Sequence, residues 1–211
     1  MKKFAKLLLC IMAFFYTAAC TDEYEEVDDT RLPVGNTTIM FFPWSNNLKP
    51  CFIQNISDFK QVIQQNATQE ERFVVCIESE PGTVDIIEIK RVDGACTLDT
   101  LATYSDPRFT TSEGISQMLD RISALFPSKK YSMTVGCHGT GWVPANAFST
   151  SSGFISSEIP STRYLGGTTS EYQIEISNFK NGIKNSKINK LEMILFDNCY
   201  MSNIEVAYEL R

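Results

Sequence analysis

The order of apolar runs predicts an α/β fold with a mostly parallel sheet covered on both faces by helices. Three observations carry this. Short β-prone runs alternate with stretches at helical spacing along residues 37–211, and that alternation is the pattern of parallel sheets. The chain has 211 residues, the length of one domain, and 43% of them are hydrophobic, enough to bury a sizeable core. Only 21% are charged, with 8 Pro and 11 Gly, which excludes a disordered or low-complexity polymer.

In order, residues 37–44 form an apolar strand candidate followed by the turn-forming Ser45-Asn46-Asn47. Phe52, Ile53, Ile56, Phe59, Val62 and Ile63 recur at helical spacing, which predicts a helix over much of 52–65. Residues 73–77 and 84–89 read as two strands joined in a hairpin by Pro81-Gly82. The clearest helix follows: Thr110 with Glu113 matches a capping box, Ile115, Met118, Leu119, Ile122 and Leu125 make one stripe, and Pro127 stops it. Residues 131–137 form a strand that delivers the chain to His138. A Ser-, Thr- and Gly-rich stretch without sustained periodicity then runs to residue 174, and loops of that length are usually functional or mobile. Ile176, Phe179 and Ile183 predict a short helix, and residues 191–196 a strand. Ser202 with Glu205 matches a second capping box ahead of a final helix running to Arg211.

Charge is distributed unevenly. Residues 1–19 carry three lysines and no acid, residues 20–29 carry six acids and no base, and the remainder is close to neutral, within a net charge of −6. A near-neutral body with an acidic leash is a poor phosphate binder, so nucleic acid is excluded as a partner. The basic start and the apolar run over residues 7–16 have the charge and length of a secretion signal, too short for a permanent membrane span. Thr17, Ala18 and Ala19 running into Cys20 resemble a bacterial lipobox, although Thr17 stands where Leu is usual. That resemblance implies cleavage after residue 19 and lipidation of Cys20. The alternative is an ordinary cleavage site that precedes a cysteine. The acidic segment 20–36 is extended by its own repulsion. It is either a plain linker or an address, since it resembles the surface-export signals of some Gram-negative lipoproteins. The expected location is therefore outside the cytoplasm, anchored by lipid in the outer membrane and exposed at the cell surface.

Five cysteines remain for the body, Cys51, Cys76, Cys96, Cys137 and Cys199, and His138 is the only histidine. None of the cysteines are spaced as Cys-x-x-Cys, so a structural zinc site has no support. An odd number of thiols in an exported protein raises the question of which one stays reduced. Active residues in open α/β sheets sit just past the carboxyl ends of strands. Two segments do so here: Cys137-His138-Gly139-Thr140-Gly141-Trp142 and Phe196-Asp197-Asn198-Cys199-Tyr200-Met201-Ser202. Parallel neighbouring strands would bring His138 and Cys199 to one edge. There a thiol at a helix start, near an imidazole, has its nucleophilic thiolate favoured. The glycines flanking Thr140 allow close backbone approach to a substrate.

His-Gly-Thr-Gly-Trp at 138–142 and the run from Phe196 to Leu210 resemble the two signature segments of the clostripain-like cysteine peptidases; Tyr131 ahead of the His and Leu165-Gly166-Gly167 also fit. The resemblance covers residues 37–211 and implies the caspase-like three-layer α/β sandwich shared with gingipains and legumain. It implies that Cys199 is the nucleophile, that His138 protonates the departing amine, and that N–H groups of Gly139 and Cys199 form the oxyanion hole. It further implies cleavage after Arg or Lys in protein or peptide substrates. Asp197 matches the specificity-pocket position; read from its own residues, it equally suits accepting N–H bonds in the turn before Cys199. Ser45 departs from the family, where Asp is usual. Family members continue past the position of Arg211 through a further strand and loops, so the sheet is expected to be incomplete at its carboxyl-terminal side. That leaves a second expectation: an inert truncated surface lipoprotein with a binding role. No cofactor is implied; calcium enters by resemblance only, since no calcium-loop motif is visible.

Overall fold

The computed structural model describes residues 34–44, 46–66, 71–105, 109–141, 164–167 and 172–211. The signal segment 1–19, Cys20, most of the acidic segment and Trp142 lie outside the described residues. Strand β1 (Val34–Phe42) begins inside the stretch read as tether and leads through a one-turn 3-10 segment (Asn46–Leu48) into α1 (Lys49–Asn66). Strands β2 (Glu71–Glu80), β3 (Thr83–Val92) and β4 (Ala95–Ser105) follow, then α2 (Ser112–Leu125) and β5 (Ser128–Gly136). Short strands β6 (His138–Gly139), β7 (Tyr164–Gly166) and β8 (Gln173–Glu175) precede α3 (Ile176–Asn185), β9 (Met193–Asp197) and α4 (Ile204–Leu210).

The main sheet has six strands in the order β4-β3-β2-β1-β5-β9. Pairs β1–β2, β1–β5 and β5–β9 are parallel, and β2–β3 and β3–β4 antiparallel. The mostly parallel sheet and the hairpin at Gly82 (φ +74) agree with the sequence reading. The expected loop between His138 and residue 174 instead contains the small sheet β6-β7-β8.

Alternation along β1 makes three layers, because successive side chains point to opposite faces. Met40 and Phe42 join Phe52, Ile56 and Ile63 of α1 and Val75 and Ile77 of β2 in one cluster. Ile39 and Phe41 face the other side, where the Phe41 ring lies 6.1 Å from that of Phe179 in α3. On that side too, the Cys76 thiol lies 3.3 Å from the Met118 sulfur of α2. Helices α2 and α3 meet at Gly182, where an added Cβ would come within 2.6 Å of an Ile115 side-chain carbon. All five stripe residues of α2 are buried, but its cap is Thr111, whose hydroxyl accepts the Gly114 N–H, rather than Thr110. Helix α4 is likewise capped one residue later than expected, by Asn203 accepting from Val206 N–H at 2.9 Å. No helix among the described residues is long and apolar enough to cross a membrane.

Candidate active site

Strands β5 and β9 run parallel in the register Gly136↔Asp197, so the segments that leave them begin side by side at one edge of the sheet. His138 and Cys199 stand on these two segments. Gly136 ends its strand without a side chain because an added Cβ would lie 2.6 Å from the Phe42 ring and 2.7 Å from that of Phe52. The chain then turns into β6, which pairs antiparallel with β7 in the register His138↔Gly166 and Gly139↔Leu165. The Leu165-Gly166 fragment thereby holds the His138 segment in place.

The two segments touch through backbone. At Gly139 an added Cβ would lie 2.6 Å from the Cys199 carbonyl oxygen, and at Gly141 (φ +63) 2.6 Å from that of Tyr200. Gly141 is therefore required twice, by its left-handed conformation and by the approach. Asn198 ties the segments from the other side: its Nδ2 donates to the Cys137 carbonyl (3.0 Å) and lies 2.7 Å from the Cys137 sulfur and 3.5 Å from the His138 carbonyl. Its Oδ1 is buried without a hydrogen-bond partner.

Tyr200, directly after Cys199, adopts φ +61, a conformation rare for a residue with a side chain. Such strain persists where neighbours enforce it. Here Asn203 does so, its Nδ2 donating to the Tyr200 carbonyl at 2.6 Å while its Oδ1 caps α4. One asparagine fixes both the turn past the thiol and the start of the helix. Cys199 itself precedes that cap by four residues, so it stands farther from the helix start than the sequence reading had it. The helix dipole, which fades within about one turn, therefore adds little at the sulfur.

All five described cysteines are free. Burial, followed by the Asp85 carboxylate, pushes the Cys76 thiol up, and Cys76 packs inside the core. Cys137, one residue before His138, is also buried; desolvation pushes its thiol up to about 12, although N–H groups of Asn198 and Gly166 pull the other way. Cys137 is thus held as an unreactive thiol, whereas Cys199 is exposed. The imidazole Nε2 of His138 lies 2.9 Å from Oδ1 of Asn47, in the 3-10 segment ahead of α1.

Asp197, at the end of β9, accepts from Asn55 Nδ2 of α1 at 3.2 Å. It lines a cavity of about 410 Å³ with Asn55, Asp58, Phe59, Thr134 and Phe196, and neither His138 nor Cys199 belongs to that lining. Among the described residues there is no group of three or more His, Cys, Asp and Glu side chains that could hold a metal ion. Sequence reasoning did not single out Asn198 or Asn203, and it gave Asn47 no role. Asn198 directly follows β9, Asn47 lies in the 3-10 segment after β1 and Asn203 caps the last helix; what they share is a carboxamide, which can both donate and accept.

Residues 42–211 match the clostripain family. None of the curated proteins matches this chain. The crystal structure of a secreted C11 cysteine protease from Bacteroides thetaiotaomicron, iotapain, is similar over 85% of this chain and 50% of its own, at 40% identity and a TM-score of 0.76. A clostripain from the same organism, solved with the peptide inhibitor BTN-VLTK-AOMK, is 38% identical over 54% of this chain and 97% of its own, with a TM-score of 0.52. An inactive zymogen C11 protease from Parabacteroides distasonis shares the fold, at 22% identity over 85% of this chain and 46% of its own, with a TM-score of 0.65. The chain spans half the length of iotapain. With a caspase-like sheet that ends two neighbouring parallel strands at a histidine and an exposed cysteine, and with the match running from 42 to 211, the chain belongs to the clostripain family of cysteine peptidases.

Proposed function

We propose that this protein is a cysteine endopeptidase that cuts peptide bonds after Arg or Lys, with Cys199 as nucleophile and His138 as acid and base. The observation that carries the reading is the contact of the two strand-end segments, with the Gly139 α-carbon against the Cys199 carbonyl. The Cys199 sulfur attacks the scissile carbonyl carbon, and the carbonyl π electrons move to oxygen. Backbone N–H groups of Gly139 and Cys199 receive that oxyanion. Collapse re-forms the carbonyl and breaks the C–N bond, the amine leaving with the proton held by the His138 imidazole. Water then attacks the thioester, His138 takes the water's proton, and the thiolate returns.

Asp197 is the group proposed to select a basic side chain by charge-assisted hydrogen bonds. Two observations favour this: its carboxylate is oriented by Asn55 beside Asp58, and a neighbour 38% identical was solved with an inhibitor whose peptide ends in lysine. The test is turnover of Arg- and Lys-terminated amide substrates. Cys199→Ala is expected to lower it roughly 10,000-fold or more, and Asp197→Asn to lower kcat/KM for basic substrates roughly tenfold. Absence of turnover, together with alkylation of Cys199 no faster than of the other thiols, would reject the reading in favour of an inert binding protein.

Export and lipid anchoring in the outer membrane through Cys20 are part of the same proposal, supported by the lipobox-like segment and by a neighbour described as secreted. A membrane-impermeant protease added to intact cells should degrade a surface-exposed protein, and its survival would place the chain behind the outer membrane.

A further inference from the structure

The two ring nitrogens of His138 have different roles open to them, because Nε2 is already engaged with Asn47 Oδ1 at 2.9 Å. Asn47 comes from a third segment at the same edge. Strand β1 pairs parallel with β5 in the register Phe41↔Val135, so the turn leaving β1 lies beside the one leaving β5. That turn is anchored on both sides. Trp44 is buried with its ring 5.2 Å from Phe41, and Leu48 packs against the cluster under α1. The Lys49 ammonium donates to the Ser79 carbonyl at the end of β2. An exposed hydrogen bond is worth most when its acceptor is held in place before it forms, and this one is.

A carboxamide oxygen only accepts, so the imidazole must present Nε2–H to it. The neutral ring then carries its lone pair on Nδ1. We infer that Asn47 is a positioning residue for the reaction: its Oδ1 accepts Nε2–H of His138, fixes the ring's orientation and tautomer, and leaves Nδ1 to hold the proton delivered to the departing amine. This rests on the peptidase reading and adds to it which nitrogen works and what holds the ring. Ser45, two residues earlier, lies outside the described residues.

The experiment uses the full chain with Asn47→Ala and Asn47→Asp. Asn47→Ala is expected to lower kcat roughly 10- to 100-fold with KM within about twofold. Asn47→Asp, which keeps an acceptor oxygen at the same reach, is expected to recover most of the loss. Because His138 is the only histidine, ring nitrogen NMR reads this residue alone. The parent protein should show a protonated Nε2 protected from exchange with water, and Asn47→Ala should lose that protection. An unchanged kcat in Asn47→Ala, no rescue by Asn47→Asp, or a neutral ring protonated at Nδ1 would each overturn the inference. The NMR arm needs no turnover, so it decides the point even if the parent is inactive, an outcome that would count against the peptidase reading instead.

Discussion

The two edges of the main sheet are built in opposite ways. Edge β4 belongs to the antiparallel wing, and charge closes it: Glu88 on β3, only 4% exposed, accepts from Arg72 at 2.9 Å and meets Lys90 at 3.2 Å. Glu88 and Asp99 face each other across β3 and β4, and the Lys90 ammonium bridges the two carboxylates, reaching Asp99 at 2.6 Å. That hydrogen bond to Asp99 is the main reason the Lys90 pKa is raised. Charged side chains near an edge discourage further strand pairing. Edge β9 is apolar, with Met193 and Leu195 each 54% exposed and cavities on both of its faces, one under α1 and one between Phe196 and Ile204 of α4. The difference teaches where chemistry can sit. An antiparallel hairpin sends alternate turns to opposite ends of the sheet, whereas β1, β5 and β9 run parallel and open their three following segments at one end. Asn47, His138 and Cys199 each come from one of those segments.

The sharpest way to break this contrast is Gly139→Ala. The new methyl would meet the Cys199 carbonyl backbone, so the two segments must separate. A shift of about 1 Å is expected to cost roughly 100-fold in kcat/KM with the fold retained; parental activity with unchanged structure would show that the contact does not set the site. The smaller effect belongs to the other edge. Glu88→Gln removes the carboxylate that Arg72 and Lys90 share. It is expected to lower stability by about 1 kcal/mol, since both cations are partly exposed, and to leave kcat/KM within about twofold. Denaturant unfolding and turnover on the same preparation separate the two readouts, and a loss of activity would mean the wing and the site are coupled.

Much of the fold could be read from local pattern. The stripe of α2 and the Pro81-Gly82 hairpin depend on neighbours in sequence, and both are present. Caps were displaced by one residue because Thr110 and Thr111, like Ser202 and Asn203, offer equivalent acceptors. Only the backbone conformation picks between them. Strand β4 escaped notice because its exposed edge shows no regular alternation. Its signal was the turn instead: Asp93 (φ +51) and Gly94 (φ +85) form the Asp-Gly hairpin bend that joins it to β3.

By itself the sequence determined which residue types exist to do chemistry. It holds one histidine, a thiol past a strand end, and signature segments specific enough to name a family. Tertiary structure alone decided how they are held. Asn47 reaches His138 across 91 positions, and Asn198 reaches the Cys137 carbonyl across 61. Burial, which depends on the packed core and not on neighbours in the chain, made Cys137 an unreactive thiol and left Cys199 exposed. Contacts at such separations leave no periodic trace in the chain, because strand order and register, rather than spacing along the sequence, bring their partners together.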